Sequence, residues 1–182
     1  MSSLDTRAMV LCALFAAVVA ALGVVPPIPI GFLPVPITAQ TLGVMLAGAI
    51  LGPRLGFLAL ALFVLLVAIG LPVLPGGRGG LGVLMGPTGG FILSWPVGAF
   101  AVGWLARRMT AGTRPLPLFV CCALGGIGAV YAGGIAWLWL VSGLPLEKAA
   151  MGTLAFVPGD LIKAAAAAAV AATVRRVRPM PV

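Results

Sequence analysis

The sequence predicts an all-α integral membrane protein with six transmembrane helices, and three observations carry that expectation. First, 62% of its 182 residues are apolar and only 8% are charged, with a mean hydropathy of +1.24, whereas a soluble domain carries about a quarter charged residues. Second, the apolar runs lack the period-two alternation of a membrane barrel, which leaves helices as the way to satisfy the backbone in lipid. Third, each crossing takes about 20 residues, and with the proline-rich and glycine-rich stretches set aside the apolar runs number six.

The first span is expected at 8–25, ending at Pro26-Pro27. It is read as a retained helix rather than a cleaved signal, because no small-residue cleavage site followed by polar sequence comes after it. Small residues recur on it at four-residue spacing: Ala8, Cys12, Ala16 and Ala20 form one stripe, Ala13, Ala17 and Ala21 another. Such stripes let a second helix approach closely.

Residues 26–40 hold prolines at 26, 27, 29, 34 and 36 and are expected to form an apolar loop folded over the protein as a lid. A short second span at 41–51 breaks at Gly52-Pro53-Arg54, and a third covers 55–71. Gly48, Gly52 and Gly56 offer close packing between them. The following stretch, PVLPGGRGGLGVLMGPTGG, is glycine-rich yet keeps Leu81, Val83, Leu84 and Met85, so it reads as a second ordered loop able to approach a ligand. The fourth span is expected at 91–106, the fifth at 116–141 and the sixth at 158–174, the last opening at Pro158. All six make one domain spanning 1–182.

Basic residues set the orientation. Arg7, Arg54, Arg107, Arg108, Arg114, Arg175, Arg176 and Arg178 fall on one side of a six-span arrangement, while Arg78 and Lys148 fall on the other. Both termini are then cytoplasmic, and the proline-rich loop, the glycine-rich loop and the Glu147 segment are external. The net charge of +8 reports this orientation and not nucleic-acid binding, because the basic residues are dispersed at the ends of apolar runs.

The sixth span carries Asp160 and Lys163, three residues apart and on one helix face. An ionisable group at membrane depth costs about 2.5–3.5 kcal/mol and is by default functional. Near the external end, Asp160 gains from the unpaired N–H groups and positive dipole end of its helix. Asp160 can accept from a ligand's N–H groups and Lys163 can offer an ammonium to an anion. A small ligand with a carboxylate, N–H donors and an apolar body suits the pair, with Phe91, Trp95 and Phe156 as walls. Gln40 is a further candidate contact.

Enzyme chemistry is disfavoured by inventory. There is no histidine, and Asp160 has no second intramembrane acid for a paired-carboxylate mechanism. No GxxxxGK[ST] segment occurs, so the chain has no ATPase of its own. Cys12, Cys121 and Cys122 fall within apolar runs, and neither disulfide, metal nor other cofactor is expected. A self-sufficient secondary transporter, with Asp160 as proton relay, is the alternative that the residues leave open.

The segments GPRLG at 52–56, IGLPVLPGGRGGLGVLMGPTGGF at 69–91 and PGDLIKA at 158–164, with ITAQTLGVMLAG at 37–48, resemble the BioY family, the substrate-binding S components of energy-coupling-factor transporters for biotin. The resemblance covers nearly the whole chain. GPTGG together with PGDLIKA separates it from S components for other vitamins. It implies a six-helix fold in a cytoplasmic membrane and biotin held near the external face under the first and third external loops. Asp160 and Lys163 would contribute to the site; from their own chemistry Asp160 would meet the ureido N–H groups and Lys163 the carboxylate, with Arg78 as a second carboxylate partner. It further implies a transmembrane coupling subunit joined to two ATPases, docking on the Ala13, Ala17, Ala21 stripe.

Overall fold

A computed structural model describes residues 5–109 and 113–177; Arg178, counted above for orientation, lies outside them. The elements in chain order are α1 (Thr6–Leu22), β1 (Ile28–Ile30), β2 (Leu33–Ile37), α2 (Gln40–Leu51), α3 (Pro53–Ala68), α4 (Leu81–Met85) and α5 (Gly89–Arg108). Then come α6 (Pro115–Cys121), a π-helical stretch Cys122–Ala129 running on into α7 (Val130–Leu140), α8 (Leu146–Thr153), a 3-10 turn Leu154–Phe156 and α9 (Val157–Val177). Among them Gly89–Arg108, Pro115–Leu140 and the continuous run Leu146–Val177 are long and apolar enough to cross a membrane; Thr6–Leu22, Gln40–Leu51 and Pro53–Ala68 are shorter apolar helices. The molecule is a membrane protein built mostly of helix.

The proline-rich stretch departs from the expected loop. Ile28 pairs with Ile37 and Ile30 with Leu33 in an antiparallel two-stranded ribbon. Prolines normally exclude a strand, but in a ribbon with only two strands every residue is on an edge, and the missing N–H groups face away from the ladder. Leu33 and Val35 turn inward, and Leu33 Cδ1 lies against Gly152 of α8. The all-helical expectation is corrected to that extent. The glycine-rich stretch likewise contains a short helix, α4, that was not expected.

Helices α2 and α3 form a tight pair. Gly52 holds φ at 81°, a conformation that favours glycine, and Pro53 opens α3 in its first turn, where its absent N–H costs nothing. Gly56 meets Gly48 across the pair, as the glycine series suggested. Helix α5 runs parallel to α2: Gly98 faces Val44, and Gly48 abuts Ala99 and Val102. Against α5 runs the antiparallel α6–α7 segment, in register from Gly125 on Ala101–Val102, through Gly98 on Val130, to Gly134 on Phe91 and Gly90 on Trp137. At these crossings glycine lets one backbone touch the next helix directly, the packing mode that substitutes for hydrophobic drive in lipid.

Helix α9 is alanine-rich, and one face of it, Ala164, Ala167, Ala168, Ala171 and Ala172, is buried. That face shares a core cluster with Met45, Ala49, Val102, Leu118, Cys121 and Cys122. The cysteines are free and buried. Arg175, counted above for orientation, is buried and not a solvated flanking charge. It is 6% exposed, and its Nε donates to Ala49 O at 2.7 Å, so it binds the carbonyl end of α2, where a cation is favoured.

Candidate ligand-binding site

The parallel course of α2, α5 and α9 brings three helix N-termini to one end of the bundle, and a pocket lies among them. The space between its walls, open solvent at its mouth included, is about 580 Å³. The β2 strand and Thr38 cover one side, while Leu74, Pro75 and Arg78 of the glycine-rich stretch cover another. Both stretches expected to be ordered over a site therefore line this pocket.

Every candidate ligand-binding residue lines this pocket: Gln40, Arg78, Phe91, Trp95, Phe156, Asp160 and Lys163. Phe156 stands edge-on to Phe91 at 6.0 Å between ring centres and to Tyr131 at 6.2 Å, and Trp95 packs on Phe63 at 5.6 Å. These rings give the pocket an apolar, aromatic body. Such edge-on pairs add about 0.5–1.5 kcal/mol each beyond area burial, which holds the walls in place.

The polar end is organised around Asp160, which is 3% exposed. Lys163 Nζ donates to Asp160 Oδ1 at 2.8 Å, Thr41 Oγ1 donates to the same oxygen at 3.0 Å, and Tyr131 Oη donates to Oδ2 at 2.7 Å. A carboxylate has about four lone-pair sites, so among the described residues three are occupied and one on Oδ2 is open.

Lys163 differs from its expected part. Its three N–H donors are directed at Asp160 Oδ1, at Thr38 O (2.6 Å) and at Thr41 Oγ1 (3.1 Å). An ammonium has only three protons, so this arrangement leaves none for a ligand carboxylate and instead ties α9 to α2 and to the end of the hairpin. Arg78 is placed differently: its Nε donates to Pro75 O at 3.1 Å, which fixes the side chain, and among the described residues its terminal nitrogens make no hydrogen bond.

Two residues of this cluster escaped sequence reasoning. Tyr131 is the chain's one tyrosine and sits inside the fifth apolar run, where any polar group is notable; that signal was available. Thr41 opens α2 beside Gln40 and carries no charge to mark it. On α1, the stripe of Ala8, Cys12, Ala16 and Ala20 faces inward, with Cys12 and Ala16 buried, whereas Ala13, Ala17 and Ala21 are exposed.

A helical membrane bundle with an aromatic-walled pocket that ends in a charged cluster defines a small-molecule-binding membrane component. A solved structure described as the S-component for biotin from an ECF-type ABC transporter has the same fold, with a TM-score of 0.87 and 36% sequence identity over 96% of this chain and 92% of that one. The BioY family profile matches residues 1–180. Curated relatives include the biotin transporter BioY of Rhizobium etli, 51% identical over 91% of each chain, and that of Rhodobacter capsulatus, 48% identical over 95% of each. The chain belongs to the BioY family.

Proposed function

We propose that this protein captures biotin at the external face of the cytoplasmic membrane and passes it inward as the substrate-specific subunit of an energy-coupling-factor transporter. The observation that carries the proposal is the fit between the pocket and this ligand's three chemistries. Biotin joins a cyclic urea to a sulfur-containing ring and a carboxylate-bearing chain. The open lone pair on Asp160 suits a ureido N–H, and the Phe91, Trp95 and Phe156 walls suit the fused rings. Arg78 suits the carboxylate, because its terminal guanidinium nitrogens are available while the donors of Lys163 are directed within the protein. Lys163 then acts as a positioning residue for Asp160, Thr41 and the hairpin.

The six apolar helical segments, Thr6–Leu22, Gln40–Leu51, Pro53–Ala68, Gly89–Arg108, Pro115–Leu140 and Leu146–Val177, are the proposed spans of one domain. Both termini lie in the cytoplasm, consistent with Arg54, Arg107, Arg108, Arg175 and Arg176 at the end of the bundle opposite the pocket. The exposed Ala13, Ala17, Ala21 stripe is the proposed docking face for a transmembrane coupling subunit, itself joined to two ATPases. Uptake by cells expressing this chain tests the assignment. Accumulation of labelled biotin is expected to need the coupling module; accumulation by this chain alone, abolished by collapsing the proton gradient, would instead identify a self-sufficient proton-coupled carrier.

A further inference from the structure

Two buried polar atoms in the pocket wall have no hydrogen-bond partner among the described residues, Gln40 Oε1 and Trp95 Nε1. Gln40 is fully buried and Trp95 is 4% exposed, and an unpaired polar atom at such depth costs about 1–3 kcal/mol. Both side chains line the pocket. They stand at the same level, because α2 and α5 run parallel with Val44 against Gly98, so one turn toward the pocket brings residue 40 beside residues 94–95.

The orientation of the Gln40 amide is set by its surroundings. Its nitrogen donates to Val19 O at 3.0 Å and to Val73 O at 3.1 Å, two carbonyls that can only accept, so the nitrogen must face them and both its protons are used. Oε1 is thereby held as a pure acceptor. Asp160, one residue's reach away through Thr41, has a single open lone-pair position after its three internal bonds. A cyclic urea presents two N–H donors, one on either side of its carbonyl, which is one more than Asp160 can take.

We infer that Gln40 Oε1 is the second acceptor of the site, so that the two ring N–H groups of a cyclic urea are divided between Asp160 and Gln40. This rests on the biotin reading above and adds a specificity determinant to it. The site then discriminates against ligands lacking either N–H, because a missing donor leaves a buried acceptor unpaired, a stronger source of selectivity than pocket shape. Trp95 Nε1 offers the complementary donor to an oxygen of the same ligand.

Equilibrium titration of the purified full chain separates the possibilities, using biotin and two lactam analogues in which one or the other ring N–H is replaced by methylene. On the unaltered protein both analogues are expected to bind about tenfold or more weaker than biotin. Gln40→Met is expected to lose about tenfold or more for biotin and to show no further loss for one of the two lactams. Equal affinity of the unaltered protein for biotin and either lactam would overturn the inference. So would a Gln40→Met protein that binds biotin as the unaltered one does, or that loses equally for all three ligands, since the latter marks a purely structural clamp on Val19 and Val73. An unaltered protein that binds no biotin removes the functional reading and this inference with it; biotin binding indifferent to residue 40 removes only the inference.

Discussion

Asp160→Ala is expected to abolish high-affinity biotin binding and to lower the melting temperature of the purified protein. The side chains of Asp160 and Lys163 are 5% and 17% exposed, so the pair is largely withdrawn from solvent. Deleting one member leaves the ammonium of Lys163 without its counter-charge and the hydroxyls of Thr41 and Tyr131 without their acceptor. Breaking such a pair costs about 3–5 kcal/mol, and a ligand N–H loses its acceptor at the same time. The lost ligand hydrogen bond, about 1–3 kcal/mol, corresponds to about a 5- to 150-fold weaker affinity. Asp160→Asn keeps one acceptor oxygen and is expected to retain more stability while still losing affinity by about 1–3 kcal/mol. Titration calorimetry and thermal unfolding of both variants check the order. An Asp160→Ala protein that binds biotin normally would place the ligand elsewhere.

Gly125→Ala is expected to prevent accumulation of stable protein, although Gly125 does not line the pocket. A Cβ at this position would meet the backbone of Val102 and stand 2.8 Å from Ala101 C. Backbone cannot rotate away as a side chain can, so the π-helical stretch and α5 would have to separate. Overpacking of this kind costs about 1–3 kcal/mol or more, and the register that seats Gly134 on Phe91 would shift with it. Gly128 provides the control within the same stretch, because a Cβ there has nothing within 4 Å. Gly128→Ala is expected to leave thermal stability in detergent nearly unchanged, and a similar loss in both variants would mean that backbone contact is not the cause.

The helical membrane class and the charged centre of the site were legible because both are written in composition. Asp160 and Lys163 stand out in an apolar run, and the aromatic walls lie near them in the chain or at the start of α5. What composition does not carry is how hydrogen-bonding capacity is distributed. Lys163 reads as a free cation until Thr38 O, Thr41 Oγ1 and Asp160 Oδ1 are seen to occupy its donors. Arg175 reads as a flanking charge until it is found on Ala49 O. The hairpin was hidden because prolines at 29, 34 and 36 mask a strand period, and only a two-stranded ribbon tolerates them. The π-helical run at Cys122–Ala129 has no periodic signature of its own, since its glycines were indistinguishable in sequence from ordinary small-residue packing.

The central claim is that a pocket closed by Asp160, Thr41, Tyr131 and Lys163 holds biotin. Equilibrium titration of the purified, folded chain with biotin tests it most directly. Saturable binding of one biotin per chain with a Kd below the micromolar range, weakened by Asp160→Asn, is the expected result. Folded protein that takes up no biotin at micromolar concentrations would contradict the account.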